Sequence, residues 1–155
     1  MQKRKKITVN VPAGIDNGQV LTVPGEGNAG VNGGAKGNLS IRISVRKDPL
    51  FERRGDDIWV DLPISYTQAA LGDELTVPTI DGNVTYRIPE GTQPGDVLRL
   101  RGKGVQHCQR EGRGDMMIKV QIEVPKRLTK QQKEILQQLE AAMNEKNFEK
   151  KESFM

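Results

Sequence analysis

Apolar and polar residues alternate along several short stretches of the chain, and this period of two is typical of β-strands with one buried face. In the first stretch, Ile7, Val9 and Val11 share one face. The stretches predicted as strands are residues 6–11, 19–23, 39–45, 58–64, 74–80, 83–88, 96–100 and 117–124. Glycines and prolines punctuate the sequence between them, so the pattern predicts an all-β fold.

Two short segments between the predicted strands carry predictions of their own. Residues 65–71 are expected to form one or two helical turns, with Ser65 as the N-cap and Gly72 as the C-cap. Asp81 and Gly82 separate two predicted strands. A hairpin with a two-residue turn of type I′ is predicted there, because Asp-Gly is a favoured pair for that turn.

The C-terminal part of the chain changes to the period of an α-helix. Its apolar residues recur at spacings of three, four and seven, which places them on one stripe of a helix. The stripe consists of Leu128, Ile135, Leu136, Leu139 and Met143. Thr129 and Gln132 fit a capping box at its start. A fully buried side chain of this kind stabilises by roughly 1.5–3 kcal/mol, so the stripe is expected to pack on its own domain or on another chain.

The chain also repeats itself. Residues 7–21 return as residues 84–98 without a gap, so each position corresponds to one that lies 77 residues later. Gly25 and Gly27 map in this way onto Gly102 and Gly104. A repeat of this length indicates a duplicated domain, because solenoid units run to roughly 20–50 residues.

The second copy of the repeat has more sequence before it than the first copy has. Counterparts of residues 58–80 would lie before Met1 in the first copy. We therefore expect a first domain that lacks its opening strands, in a chain that is a piece of a longer protein. A simpler first domain that is complete as it stands is the alternative.

The net charge of +4 lies at one end of the chain. Lys3, Arg4, Lys5 and Lys6 account for the whole excess, since the other 20 basic residues balance 20 acidic ones. A nucleic-acid footprint follows a face or a groove, and aromatic residues make up only 4% of the chain. The charge pattern therefore argues against nucleic acid as a partner, and a basic nucleic-acid-binding β module stays as the alternative function.

Residue pairs that resemble chemical sites are few. His107 and Cys108 are neighbours, whereas a zinc site needs about four ligands from spaced positions. Asp56 and Asp57 are also neighbours, and on a strand they would point to opposite faces. We interpret the first pair as loop residues and the second as turn-capping residues. We predict no catalytic residue, no metal site and no enzyme activity.

Glycine and cysteine usage narrows the class of protein further. Gly25, Gly27 and Gly30 match a phosphate-binding pattern, but the residues that follow are poor helix formers, so we interpret these glycines as turn residues. Cys108 is the only cysteine, which favours a reducing compartment. The sequence contains no signal peptide and no long apolar run, so a soluble cytoplasmic protein without membrane contact is expected.

Four motifs follow one another along the chain, and they span Val11–Gly18, Val45–Ile58, Ala69–Gly82 and Leu100–Val105. In sequence and spacing they resemble the C-terminal substrate-binding region of DnaJ-type J-domain co-chaperones, most closely the bacterial, zinc-containing branch. The resemblance covers nearly everything from Lys6 to about Met143. Asp48 departs from the pattern, since the family often has His before this proline.

The resemblance implies two tandem β-sandwich-like domains and a C-terminal dimerisation helix. The predicted bounds are residues 1–55 for a truncated first domain, 56–126 for the second domain and 127–155 for the helix and tail. In the family a cysteine-rich zinc module interrupts the first domain, and this chain begins just after the position of that module. Zinc is therefore expected only in the absent module, and no cofactor is expected in this chain.

The resemblance also implies a function, the binding of unfolded polypeptides for a DnaK-type chaperone. A hydrophobic pocket in the first domain would grip extended client segments, and Phe51 is carried over as one wall of it. Leu21 and Val23, on the facing strand, are added from the alternation along that strand. The helix stripe would form a homodimer. For Phe51, the alternative is a hinge residue that fills the junction between the domains.

Overall fold

The computed structural model describes residues 6–27 and 37–149 of the chain. The chain divides into two compact units, Met1–Ile122 and Glu123–Met155. Three of the four terminal basic residues and Gly30 lie outside the described residues, so the predictions made for them stay predictions. Among the described helices, none has the length and apolarity needed to cross a membrane.

The first unit is built mainly from short strands, with one short helix between the fourth and the fifth. The elements are β1 (Val20–Val23), β2 (Leu39–Arg42), β3 (Glu52–Arg54), β4 (Asp57–Ser65), α1 (Tyr66–Leu71), β5 (Asp73–Thr79), β6 (Gly82–Ile88), β7 (Val97–Leu100) and β8 (Met116–Glu123). They form a β1–β2 ribbon, a four-stranded sheet in the order β3-β4-β8-β7, and a β5–β6 ribbon. The predicted all-β class is confirmed.

Among the described residues, the fully buried apolar ones all come from the second copy of the repeat and from the strands and helix before it. One cluster consists of Ile58, Val60, Val77, Met116 and Ile118. The other consists of Ile64, Ala69, Ile88 and Val120. In the first copy of the repeat, none of the described residues is fully buried. The second repeat therefore has a core of its own, whereas the first repeat is a thin layer.

The duplication predicted from sequence appears in the hydrogen bonds of the backbone. Gly18 N–H donates to Ile43 O at 2.7 Å, and the equivalent Gly95 N–H donates to Val120 O at 2.8 Å. The bond from Gly27 to Gly37 likewise returns between Gly104 and Gly114. The register of β1 on β2 is the register of β7 on β8, 77 residues later. The two copies therefore share one backbone geometry.

The predicted strand at residues 6–11 is wrong, because this segment forms no ladder in the structure. Its repeat equivalent, residues 84–88, belongs to β6 and pairs with residues 73–77 of β5. Among the described residues, no strand takes the place of that partner beside residues 7–11. Ile7 and Val9 are half-buried between exposed neighbours, so the predicted alternation of side-chain burial is present. A strand also needs a partner for its backbone groups, and this segment pairs with none in the described part of the chain.

The helix α1 begins and ends as predicted. Ser65 Oγ accepts from Gln68 N–H at 3.1 Å, and Gln68 Oε1 accepts from Ser65 N–H at 2.9 Å. This reciprocal pair is a capping box, which satisfies two backbone donors at the first turn. Gly72 is the C-cap.

The β5–β6 hairpin turns one residue earlier than predicted. Thr79 pairs with Gly82, so the loop residues are Ile80 and Asp81. A type I′ turn would require positive φ at both loop residues. Of residues 79–82, however, only Gly82 has a positive φ, at +114°. Thr79 Oγ1 accepts from Asp81 N–H at 3.2 Å and donates to Gly82 O at 2.5 Å. These side-chain bonds stabilise the earlier turn.

The second unit contains the predicted C-terminal helix, α2 (Lys130–Ala142), followed by a 3₁₀ turn at Glu145–Asn147. Thr129 Oγ1 accepts from Gln132 N–H at 3.2 Å, and Gln132 Oε1 accepts from Thr129 N–H at 2.8 Å. The predicted capping box is confirmed. The domain boundaries predicted at residues 55/56 and 126/127 stay predictions.

Candidate peptide-binding surface and repeat junction

The β1–β2 ribbon presents one apolar face. Leu21 lies opposite Ile41, and Val23 lies opposite Leu39. Directly opposed residues of an antiparallel pair point to the same side of the sheet, so these four side chains share a face. Each of them is only half-buried. The ribbon therefore offers apolar contact area to a further segment of chain.

The outer edge of β2 is open in the described part of the chain, where β2 pairs only with β1. Its repeat equivalent β8 lies between β7 and β4. On that covered edge, Ile58 N–H donates to Asp115 O at 2.9 Å. Alternate residues of an antiparallel strand direct their N–H and C=O groups to the same edge. Ser40 and Arg42 are the repeat equivalents of residues that follow Asp115 at alternate positions, so their backbone groups point to the outer edge of β2. Such a row of backbone donors and acceptors is a template for an extended peptide.

Phe51 lies at a turn just before β3. Asp48 Oδ1 accepts from the N–H groups of Leu50 and Phe51 at 2.8 and 3.2 Å, which forms a turn before β3. The Phe51 side chain is half-buried and packs against the second-repeat core cluster that contains Ile58 and Met116. This packing is what a residue that fills the junction would show. The role of Phe51, Leu21 and Val23 in peptide binding stays a prediction.

The first repeat meets the second repeat at Gly14. Gly14 has a φ of +82°, and a Cβ atom placed on it would lie 1.8 Å from Gln106 O. Gln106 belongs to a hairpin in which it bridges to Arg113, and His107 N–H donates to Gly112 O at 2.9 Å. Only glycine therefore fits where the loop of residues 12–18 touches this hairpin.

Arg53, on β3, binds the same loop from another side. Its Nη1 donates to Ile15 O and its Nη2 to Gly14 O, both at 2.7 Å. Its Nε donates to Gly55 O at 2.7 Å, and its Nη2 also lies 3.3 Å from Asp56 Oδ1. The side chain is 21% exposed. The planar fork of the guanidinium thus holds two carbonyls of the first repeat, and the carboxylates of Asp56 and Asp16 lie beside it at 3.3 and 3.7 Å.

Asp56 and His107 complete this junction. His107 Nδ1 donates to Asp56 Oδ2 at 2.6 Å, and the histidine side chain is 16% exposed. The bond from His107 lowers the pKa of Asp56; partial burial opposes this shift, and the charges of His107 and Arg53 add to it. Our interpretation of Asp56 as a turn-capping residue is therefore wrong, whereas His107 lies in a loop as expected and has there a partner that the sequence did not predict.

Asp57, the first residue of β4, has a different partner from Asp56, which lies in the turn before it. Its Oδ1 accepts from Asp115 N–H at 2.8 Å, so Asp57 caps a backbone group of the adjacent strand. A cleft of about 550 Å³ lies beside the junction. It is lined by Gly14, Asp16, Gln19, Arg53, Gly55, Asp56, His107, Cys108, Gln109 and Arg110. Among the described residues, no three His, Cys, Asp or Glu side chains are grouped so that they could hold a metal ion.

The predicted helix stripe is open in the single chain. None of the residues of α2 is fully buried. Ile135 is 55% exposed and Leu136 is 39% exposed, whereas Leu128, Leu139 and Met143 are half-buried. Two large apolar side chains in adjacent positions of a helix therefore face solvent.

The family model described as "DnaJ C terminal domain" matches residues 1–125. The chain belongs to this family. The DnaJ-type motifs seen in the sequence also shape the junction: one supplies Gly14 and Ile15, and another supplies Arg53 and Asp56. The contact between the repeats is thus made by the segments that carry the family likeness.

Several proteins named "Chaperone protein DnaJ" are similar to this DnaJ C-terminal chain. The protein of Caldicellulosiruptor saccharolyticus is 45% identical over 154 residues, which are 99% of this chain and 40% of that protein. The proteins of Clostridium tetani and Listeria monocytogenes serotype 4a are 52% and 49% identical, each over 98% of this chain and 40% of their own length. The chain spans about two-fifths of the length of these relatives.

Proposed function

We propose that this chain is the client-binding and dimerising region of a DnaJ-type co-chaperone. In this role it holds extended segments of unfolded polypeptides, which a DnaK-type chaperone then receives. The family membership and the relatives named chaperones support the co-chaperone role. The observation that carries client binding is the β1–β2 ribbon, which joins a half-buried apolar face to an open backbone edge.

The ribbon suits clients of many sequences. Backbone pairing along the edge of β2 would use the N–H and C=O groups that every peptide has, so it tolerates sequence variation. The face of Leu21 and Val23 would then favour apolar side chains at alternate positions of the client. Binding of this kind needs no particular sequence motif in the client. It therefore suits unfolded clients, which share no such motif.

The exposed stripe on α2 supports the proposal of a homodimer. A second copy of the helix would cover Ile135 and Leu136, and it would bring two ribbons into one molecule. Two weak sites joined in this way act at an effective concentration in the millimolar range for short linkers, which raises avidity roughly 10²–10⁴-fold. The dimer would therefore hold long clients at two places.

The test of client binding is the fluorescence anisotropy of a labelled, leucine-rich extended peptide titrated with the chain. Saturable binding that an unlabelled unfolded protein competes away is the expected result. The matched control is the same peptide with N-methyl groups on alternate amides, which keeps the side chains but removes donors. Equal affinity for both peptides would contradict edge pairing. Binding of a DNA duplex but not of the peptide would favour the nucleic-acid alternative instead.

A further inference from the structure

The loop of residues 12–18 and its repeat equivalent are anchored in two different ways. In the second repeat, the N–H groups of Gly91 and Thr92 donate to Ala69 O of α1, at 2.9 and 3.1 Å. In the first repeat, the equivalent residues Gly14 and Ile15 instead offer their carbonyl oxygens to Arg53. Arg53 thus gives the first loop an anchor that the second loop obtains from its own helix.

Arg53 is itself held in a chain of polar contacts that ends in the second repeat. Its guanidinium meets Asp56, and Asp56 accepts from His107 on the other side. His107 is fixed in its hairpin by the bond from its backbone N–H to Gly112 O. The contacts therefore run without a break from the loop of the first repeat to the hairpin of the second.

We propose that Arg53, Asp56 and His107 form a clamp that fixes the first repeat on the second and so sets the direction in which the β1–β2 ribbon presents a client. The inference rests on the proposed function, because a fixed ribbon matters only if the ribbon binds a peptide. The three residues are positioning residues. They hold the backbone of the ribbon's own repeat and lie outside the ribbon face.

The thin core of the first repeat explains the need for such a clamp. With no fully buried residue among its described positions, the first repeat gains little orientation from apolar packing, which is also non-directional. Hydrogen bonds to ionised groups are roughly twice as strong as neutral ones and impose a geometry. Because Arg53 and His107 are partly shielded from solvent, salt weakens these bonds less than it weakens bonds between exposed charges.

The first arm of the test measures amide hydrogen exchange in the chain without peptide. His107→Leu removes the donor to Asp56, whereas the side-chain amide of Asn in His107→Asn can take the place of Nδ1. We expect His107→Leu to speed exchange at the amides of Gly18 and Ile43 by about tenfold, the factor that corresponds to about 1.4 kcal/mol. His107→Asn should restore most of the protection. Unchanged exchange in His107→Leu would overturn the clamp.

The second arm uses two glycines that the repeat makes equivalent. Gly14 and Gly91 have φ values of +82° and +78°, so alanine is strained to a similar degree at both. A Cβ atom at Gly91 would meet nothing within 4 Å, whereas one at Gly14 would meet the carbonyl of Gln106. Gly14→Ala should therefore loosen the first repeat far more than Gly91→Ala loosens the second. Equal effects would overturn the proposal.

The amides of the β5–β6 ribbon serve as the internal control, because they report the integrity of the second repeat. If His107→Leu opens them too, the pair of glycine variants decides the question. Peptide affinity is measured separately by anisotropy. A loosened first repeat with unchanged affinity would overturn the positioning role and leave the proposed function intact. A native chain that binds no peptide would overturn the proposed function, while the exchange data still decide whether the clamp exists.

Discussion

His107 Nδ1 lies 2.6 Å from Asp56 Oδ2, although 51 positions separate the two residues in the sequence. Asp56 belongs to the turn between β3 and β4, and His107 belongs to a hairpin between β7 and β8. The bond therefore ties the segment that leaves the first repeat to the body of the second. Since Arg53 extends it to Gly14 and Ile15, the junction of the repeats depends on ionised groups.

This dependence predicts a loss of stability in acid. A carboxyl group whose pKa is lowered on folding, as that of Asp56 is by His107, contributes stability that is fully present above its ordinary pKa of about 3.9. The contribution is lost as the pH falls through the lowered value. The native chain should therefore be more stable than Asp56→Asn at neutral pH, and the difference should shrink below about pH 4. Urea denaturation at a series of pH values measures both free energies of unfolding.

Asp16→Asn is the matched control for the acid experiment. Asp16 lies 3.7 Å from Arg53 but has no bond to His107, so its removal should change the pH dependence less. Arg110 and Cys108, which line the same cleft, are kept in both variants. A stability difference for Asp56→Asn that stayed constant through the acid range would show that the ionised carboxylate is not what holds the junction.

The unequal cores of the two repeats predict unequal costs for one substitution at equivalent positions. Ile118 is fully buried, whereas its counterpart Ile41 is half-buried. Ile118→Ala should cost about 2–5 kcal/mol of unfolding free energy, because it leaves a cavity in a packed core. Ile41→Ala should cost about 1 kcal/mol or less, since less apolar area is lost. Chemical denaturation measures both, and similar losses would mean that the first repeat also has a dense core.

The apolar face of the ribbon predicts which side of β1 matters for clients. Leu21→Ser should weaken binding of a leucine-rich peptide by about tenfold, because roughly 1.5–3 kcal/mol of apolar contact is available to a leucine. Val20→Ser is the matched control, since Val20 lies on the opposite face of the same strand and is 57% exposed. Its affinity should stay near that of the native chain. The reverse order of effects, in an anisotropy titration, would place the client on the other face.

The stripe on α2 predicts a change in oligomeric state. Leu136→Asp combined with Leu139→Asp should convert a dimer into a monomer, because two charges would be buried without partners at the interface. The variant Gln137→Asp with Gln138→Asp adds the same charges elsewhere on the helix and should stay dimeric. Light scattering after size-exclusion chromatography measures the mass of each. A double leucine variant that remained dimeric would exclude the stripe from the interface.

The parts of the fold that local patterns determine could be predicted from the sequence. The N-cap at Ser65 and the capping box at Thr129 were found because each depends on residues at most three positions apart. The duplication was found because it repeats a long run at a constant offset. The strand predicted at residues 6–11 was wrong because a strand depends on a partner elsewhere in the fold. The hairpin turn was placed one residue late because the bonds of Thr79 to Asp81 and Gly82 were not expected.

The junction escaped prediction for a related reason. Asp56 and His107 belong to no local motif, and a tertiary contact over 51 positions leaves no period in the sequence. The position of Phe51 was also open, because an aromatic residue after a strand suits both a groove wall and a junction. Its packing against the second-repeat core settles where the side chain lies and leaves its contact with clients to experiment.

The most direct test of the central claim is the peptide affinity of two variants at Ser40, whose backbone faces the open edge of β2. Ser40→Pro removes the outward N–H, which an edge strand tolerates because no ladder bond among the described residues uses it. Ser40→Ala keeps that N–H and removes only the hydroxyl. We predict that Ser40→Pro weakens binding of the labelled peptide by about tenfold or more and that Ser40→Ala binds like the native chain. Native affinity in Ser40→Pro would contradict the claim that clients pair with this edge.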